Sequence, residues 1–151
     1  GSPDRCFAYM SAALGDPLLA QRVGDALASL AYLRSRPEVD VERMVLTGHG
    51  LGGVVALLAA AVDGEAAGVV TLAAPASFEA LLEAESPCWP ADAFMTDALR
   101  YLDLPELAEA LGCPVRVLEP RDGGGEPVPT ADDTSYAQAV RAIFRPSPRR
   151  P

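Results

Sequence analysis

The chain has 151 residues, half of them apolar, and a formal net charge of −9 at neutral pH. This length and composition allow one domain with a substantial buried core. All twelve basic residues are arginines, and no dense basic face is available to neutralise phosphates. No apolar run is long enough to cross a bilayer. We therefore expect neither nucleic acid nor a membrane as a partner.

The two ends of the chain differ in composition from the rest. Gly1-Ser2 resembles a cloning remnant, and residues 1–3 are expected to be a flexible start. At the other end arginines alternate with prolines, which predicts a flexible tail over residues 146–151. Residues 1–151 are thus expected to form a single domain, or part of one.

Apolar periodicity predicts alternating helices and strands along the chain. A short helix is expected over residues 6–15, and a longer one follows Asp16-Pro17, an N-cap and a first-turn proline. Capping residues Thr130 and Asp133 are expected to open the last helix. The elements expected between are strands near residues 43–48, 67–75 and 113–120 and helices over 51–62, 77–86 and 104–112.

Short apolar strands separated by helices predict parallel pairing with helices on both faces. The fold class is therefore α/β, a three-layer α-β-α arrangement with a short, mostly parallel sheet of about three strands. Three strands are few for such a sheet, and the strand beginning at Val45 would have a bare edge. We expect that edge to be covered by a second copy of the chain or by a missing N-terminal half.

A glycine-rich turn joins the first strand to the helix after it. Gly48, Gly50 and Gly53 fit the dinucleotide fingerprint Gly-x-Gly-x-x-Gly, between a strand and a helix as that motif requires. The motif also needs an acidic residue at the end of the next strand, where this chain has Leu72-Ala73-Ala74-Pro75. Nucleotide binding by the Gly48–Gly53 loop is therefore a remote alternative.

The same turn, "TGHGLGG", resembles the nucleophile elbow of the α/β-hydrolase superfamily, Gly-x-Ser-x-Gly, often spelled Gly-His-Ser-Leu-Gly-Gly. From about Pro17 to Asp122 the chain is similar to acetyl xylan esterases, dienelactone-hydrolase-like proteins and prolyl-oligopeptidase-like domains. The resemblance implies the second half of an α/β-hydrolase fold. By that match Gly50 occupies the nucleophile position, the N–H of Leu51 is an oxyanion donor, and Asp122 occupies the acid position.

The remaining elbow positions have structural roles by the same resemblance. Gly48 and Gly52 are the small flanking residues, expected because side chains there would collide, and Gly53 matches as well. His49 is the only histidine, and in the family its side chain points away from the pocket, so we expect a packing role. Trp89 either lines a pocket over the elbow or packs onto the sheet.

The chain departs from the hydrolase pattern at the residues that carry the chemistry. Gly50 has no side chain, no histidine follows Asp122, and the early loop with the second oxyanion donor is lacking. We therefore expect a degenerate, non-catalytic hydrolase-like domain that acts through association or within a larger protein. The alternative is a portion of a carboxylic-ester hydrolase or serine-peptidase-like enzyme whose missing parts come from another chain or segment.

No cofactor or metal is expected. One histidine excludes a multi-histidine metal site, and Cys6, Cys88 and Cys113 are too widely spaced for a zinc or redox motif. Three unpaired thiols and the lack of a signal segment favour a reducing, cytoplasmic compartment.

Overall fold

A computed structural model of the chain describes residues 3–130 and 134–144. Its sheet has three parallel strands in the order β1 (Val45–His49), β2 (Gly68–Leu72) and β3 (Val115–Leu118). β1 pairs with β2 from Val45↔Gly68 to His49↔Leu72, and β2 pairs with β3 in turn. The helices are α1 (Pro3–Ala13), α2 (Leu18–Arg34), α3 (Leu51–Asp63), α4 (Phe78–Glu83), α5 (Leu104–Ala110) and α6 (Tyr136–Ile143).

Helices cover both faces of the sheet, which confirms the predicted three-layer α/β fold. On one face, Leu46 and Val69 of the sheet form the largest core cluster with residues of α2, α3 and α5. On the other face, Ala139 of α6 packs between Val70 and Leu118. Strand residues alternate between the faces, so each strand contributes to both clusters.

The segment between α4 and α5 forms two short 3-10 helices, Ala91–Ala93 and Ala98–Arg100. Asp92 in the first of them forms an ion pair with Arg22 of α2. Asp103, at the end of the segment, accepts hydrogen bonds from the N–H groups of Phe78 in α4 and Leu104 in α5, at 2.5 and 2.6 Å. One carboxylate thus caps two helices and connects them.

Two helix starts differ from the sequence prediction. α2 has Pro17 as its N-cap, without a side-chain cap, and Ser11 rather than Asp16 accepts the N–H of Leu18, at 3.1 Å. The last helix begins at Tyr136, after a capping box of Ser135 and Gln138, rather than after Thr130. Asp133, the other predicted capping residue, lies outside the described residues.

Within the described ranges, no helix is both long and apolar enough to cross a membrane.

Candidate functional site

The turn between β1 and α3 consists of one residue, Gly50. Its φ of 55° and ψ of −128° lie outside the regions that residues with a side chain favour. The N–H of Gly50 donates to the carbonyl of Leu72 in β2, and the N–H of Gly53 donates to the carbonyl of Gly50, both at 2.9 Å. These bonds fix the turn to the neighbouring strand and to the helix. A sharp strand-to-helix turn of this kind is the geometry of a nucleophile elbow.

Two of the surrounding glycines lie where no side chain fits. A Cβ on Gly48 would lie 2.0 Å from the carbonyl oxygen of Gly52, and one on Gly53 would lie 2.8 Å from the Cβ of Ala74. We expected a side chain at Gly52 to collide as well, but a Cβ there would have no atom within 4 Å. Helix α3 turns this position outward, so the second crowded glycine is Gly53 rather than Gly52.

Trp89 lies beside Gly50, the position that the resemblance assigns to the nucleophile. A Cβ on Gly50 would be 3.9 Å from Cζ3 of the indole, an ordinary van der Waals distance. The indole Nε1 donates to the carbonyl oxygen of Asp122 at 2.8 Å. The half-buried ring also packs against the apolar cluster that contains Val54 and Phe78. Trp89 therefore bridges the two positions, 50 and 122, that the resemblance assigns to nucleophile and acid.

Asp122 closes its own turn after β3. Its Oδ1 accepts the N–H of Glu126 at 2.9 Å, and its N–H donates to the carbonyl of Glu126 at 2.9 Å. The turn packs closely against α4 and leaves no room for a side chain at Gly123, because a Cβ there would lie 2.3 Å from the carbonyl oxygen of Ala80. Asp122 thus stabilises its turn by accepting a backbone hydrogen bond within it, as aspartates in turns commonly do.

His49 is exposed, as is Thr47 two residues earlier on β1. Val45 lies four residues before His49 on β1, so the two side chains point to the same face of the sheet. Val45 packs against the cluster that contains Ala139 of α6. The side chain of His49 thus belongs to the α6 face of the sheet. Among the described residues the side chain of His49 has no hydrogen bond or ion pair, and its exposure does not match the packing role expected from the sequence.

Residues with positive φ follow all three strands, a feature that the sequence did not reveal. Ala73 after β2 has φ 49° and Glu119 after β3 has φ 48°, close to the value for Gly50. The N–H of Ala73 donates to the carbonyl of Leu118 at 2.9 Å, just as Gly50 donates to Leu72. Alanine and glutamate give no local signal for this conformation, so only the three-dimensional structure shows it.

The thiols and acidic groups do not combine into a metal site. Cys6 and Cys88 are exposed free thiols, Cys113 is half-buried, and burial raises the pKa of the Cys113 thiol. In the part of the chain that the structure describes, no group of three or more His, Cys, Asp or Glu side chains is arranged to hold a metal ion.

A parallel sheet flanked by helices, with a one-residue turn of this geometry between β1 and α3, defines an α/β-hydrolase-like domain. The chain belongs to the dienelactone hydrolase family, whose model matches residues 4–85, more than half of the chain. The match includes the turn at Gly50 and ends before Asp122. Comparisons with curated proteins and with solved structures gave no match.

Proposed function

We propose that this member of the dienelactone hydrolase family does not carry out serine-hydrolase chemistry and that it acts through association. The observation that carries the proposal is the pair Gly50 and Trp89. The nucleophile position has no side chain, and an indole ring lies 3.9 Å from where a Cβ would be. The same ring is hydrogen-bonded to the acid position through the carbonyl of Asp122.

Two further arrangements support the non-catalytic role. A triad needs a base between nucleophile and acid, whereas His49 is exposed and belongs to the α6 face. The Oδ1 atom of Asp122 accepts a hydrogen bond from the N–H of Glu126 within its own turn, rather than from a histidine. The amide of Leu51, which the resemblance implies as an oxyanion donor, begins α3 and has no acceptor within its helix.

The activity test uses short-chain p-nitrophenyl esters and the wild-type chain. We expect no turnover above the buffer rate. Saturable hydrolysis that requires the protein and survives repurification would overturn the proposal.

The second candidate function is a portion of a carboxylic-ester hydrolase that works with parts supplied by another chain or segment. The backbone of Gly50 favours it, because φ 55° and ψ −128° are strained for a residue with a side chain, and the nucleophile of an elbow sits on a sharp, strained strand-to-helix turn. Gly50→Ser tests it with a serine-directed fluorophosphonate probe. We expect no labelling; labelling of this variant, with none of a Gly52→Ser control, would favour the second candidate.

A nucleotide-binding role has less support from this turn. A phosphate at a helix N-terminus needs free amides, and those of Gly50 and Gly53 donate to the carbonyls of Leu72 and Gly50. β2 ends at Leu72 without an acidic residue for a ribose.

Association is proposed at the free edge of β1. Among the described strands, β1 has β2 as its only neighbour. The carbonyl of Met44 and the N–H of Gly50 both bond toward β2. Because these directions alternate along a strand, the backbone groups of Val45, Thr47 and His49 point away from β2.

A second copy fits this edge by symmetry. With a two-fold axis at Thr47, antiparallel pairing places Val45 opposite His49 of the other copy, and the outward groups match one another. The strand carries no charge or proline that would protect its edge.

Sedimentation velocity tests the association. We expect dimers of the wild type, and also of Thr47→Val, which keeps the backbone N–H. Thr47→Pro removes that N–H at an edge position and should be monomeric. A wild type that stays monomeric at high concentration, or a Thr47→Pro variant that still forms dimers, would contradict pairing through β1. The edge would then have to be covered by another segment instead of a second copy.

A further inference from the structure

A groove of about 460 Å³ lies between α4 and the second 3-10 helix, Ala98–Arg100. The buried part of its lining is formed by Phe78, Leu81 and Ala98, which belong to one core cluster. The rest of the lining includes Leu82, Phe94, Met95, Asp97, Leu99 and Arg100. Small-molecule sites in proteins are mainly apolar hollows of about 300–1,000 Å³, and this groove agrees with them in size and lining.

Two exposed leucines border the groove. Leu82 of α4 is 66 % exposed, and Leu99 of the 3-10 helix is 44 % exposed. Single exposed leucines are common on protein surfaces. These two belong to the two elements on either side of one groove, so an apolar ligand between the elements would cover both.

The segment that forms the groove is acidic. From residue 78 to residue 100 the sequence has five carboxylates and one basic residue, Arg100. The carboxylates are Glu79, Glu83, Glu85, Asp92 and Asp97. Asp92 forms an ion pair with Arg22. Among the described residues, the side chains of the three glutamates have no ion pair or hydrogen bond and are exposed.

Asp97 and Arg100 both line the groove and are only loosely paired with each other. Their closest nitrogen and oxygen atoms are 3.7 Å apart, longer than a hydrogen bond, and their side chains are 57 % and 73 % exposed. The single guanidinium therefore does not balance the carboxylates around it. The net charge of −9 on the chain acts in the same direction. We expect a negative potential at the groove, which attracts cations and repels anions.

We propose that the groove binds an apolar amine, with an aromatic body between α4 and the 3-10 helix and the ammonium group at the mouth. Phe78, Phe94 and Met95 in the lining favour an aromatic body, because rings and thioethers pack well against aromatic groups. An apolar cavity of about 150 Å³ in another protein holds benzene, so this groove has room for two fused rings. The lining shares no residue with the elbow turn or with β1, so the proposal is independent of the proposed function.

The experiment titrates the wild-type chain with three naphthalene derivatives and follows its backbone amides by NMR. The probes are naphthylmethylamine, a cation at neutral pH, naphthylmethanol, which is neutral, and naphthoate, an anion. We expect saturable binding of the amine, with the shift changes concentrated in residues 78–100. Naphthoate should bind about tenfold more weakly than the amine, because the negative potential acts on the two charges with opposite sign. Added salt should weaken binding of the amine and leave that of the alcohol unchanged.

A first pair of variants tests the apolar contact. Leu82→Ala shortens an exposed side chain of the groove and should weaken binding of the amine and of the alcohol alike, about fivefold. Leu33→Ala, at an exposed leucine of α2 outside the lining, is the control and should bind both probes as the wild type does.

A second pair tests the charge. Asp97→Asn removes one carboxylate and should weaken binding of the amine about threefold, with the alcohol unaffected. Asparagine also tolerates the positive φ of 62° at this position, so the backbone is kept. Glu42→Gln removes the same charge at an exposed position before β1, outside the lining, and should leave binding of the amine unchanged.

The proposal fails if the amine shows no saturable binding or if its shift changes lie outside residues 78–100. It also fails if naphthoate binds as tightly as the amine. Equal effects of Asp97→Asn and Glu42→Gln, or of Leu82→Ala and Leu33→Ala, would overturn it as well, because the ligand would then not lie in this groove.

Discussion

Replacing Gly50 by alanine measures how much strain the elbow turn imposes on a residue with a side chain. The available space does not oppose the change, because the nearest atom to a Cβ is Cζ3 of Trp89 at 3.9 Å. The backbone opposes it, since φ 55° and ψ −128° are costly for any residue but glycine. Such conformations cost about 1–3 kcal/mol each. We therefore expect Gly50→Ala to lose about 1–3 kcal/mol of unfolding free energy, all of it from the backbone.

Thermal melting followed by circular dichroism, with denaturant unfolding as a second measurement, is the assay. For a chain of this length, 1 kcal/mol corresponds to about 2–4 °C, so the midpoint should fall by roughly 2–12 °C. Gly52→Ala is the matched control, because it adds the same methyl group in open space on α3. Alanine is favoured over glycine by about 0.5–1 kcal/mol within a helix, so this control should be neutral or more stable.

The refuting result is a Gly50→Ala variant at least as stable as the wild type, with Gly52→Ala behaving as expected. That outcome would mean that the turn holds no strain for a side chain. Glycine at the nucleophile position would then have no stabilising effect, and its presence would need a different explanation. Gly48→Ala offers the opposite limit, since its Cβ would lie 2.0 Å from a carbonyl oxygen and the folded turn has no room for it.

The other predictions concern single contacts between elements of the fold. Asp103→Ala removes the cap shared by α4 and α5 and should cost about 1–4 kcal/mol in denaturant unfolding; a loss below about 0.5 kcal/mol would contradict the double cap. Hydrogen bonds from Arg34 hold the pKa of the Asp63 carboxyl below its usual value, so the stability that this pair contributes is present above about pH 4 and is lost as the pH falls through that lowered pKa. The wild type should accordingly lose more melting temperature between pH 7 and pH 3 than Asp63→Asn, and equal losses would refute the linkage. Trp89→Phe loses the bond to Asp122 and should be less stable by about 0.5–1.5 kcal/mol, whereas unchanged stability would mean that this bridge contributes nothing.

The sheet and its helices could be predicted because local patterns determine them. Three continuous apolar runs became β1, β2 and β3, and the apolar stretch after Gly50 became α3. The double cap at Asp103 could not be predicted, because its second partner, Phe78, lies 25 residues earlier in the chain. The extent of the last helix also escaped prediction, since Ser135 rather than Thr130 provides the cap.

The candidate site was less predictable than the fold for a similar reason. The motif identifies Gly48, Gly50 and Gly53, but contacts between distant segments decide what lies over the turn. The hydrogen bond from Trp89 to Asp122 spans 33 residues, and no spacing rule relates the two. Positive φ at Ala73 and Glu119 follows from the geometry at the strand ends rather than from residue type.

The shape of the elbow and its chemistry are separable in this chain. The turn is fixed by the crowding at Gly48 and Gly53 and by the bond from Gly50 to Leu72, and none of these contacts involves a side chain at position 50. Glycine at position 50 therefore keeps every contact that shapes the turn and avoids backbone strain of about 1–3 kcal/mol that a residue with a side chain would carry there. Membership of the dienelactone hydrolase family thus accounts for the turn without requiring hydrolysis. Labelling of Gly50→Ser, with none of Gly52→Ser, is the result that would favour hydrolysis, because it would mean that the surroundings activate a serine in a turn of the right shape.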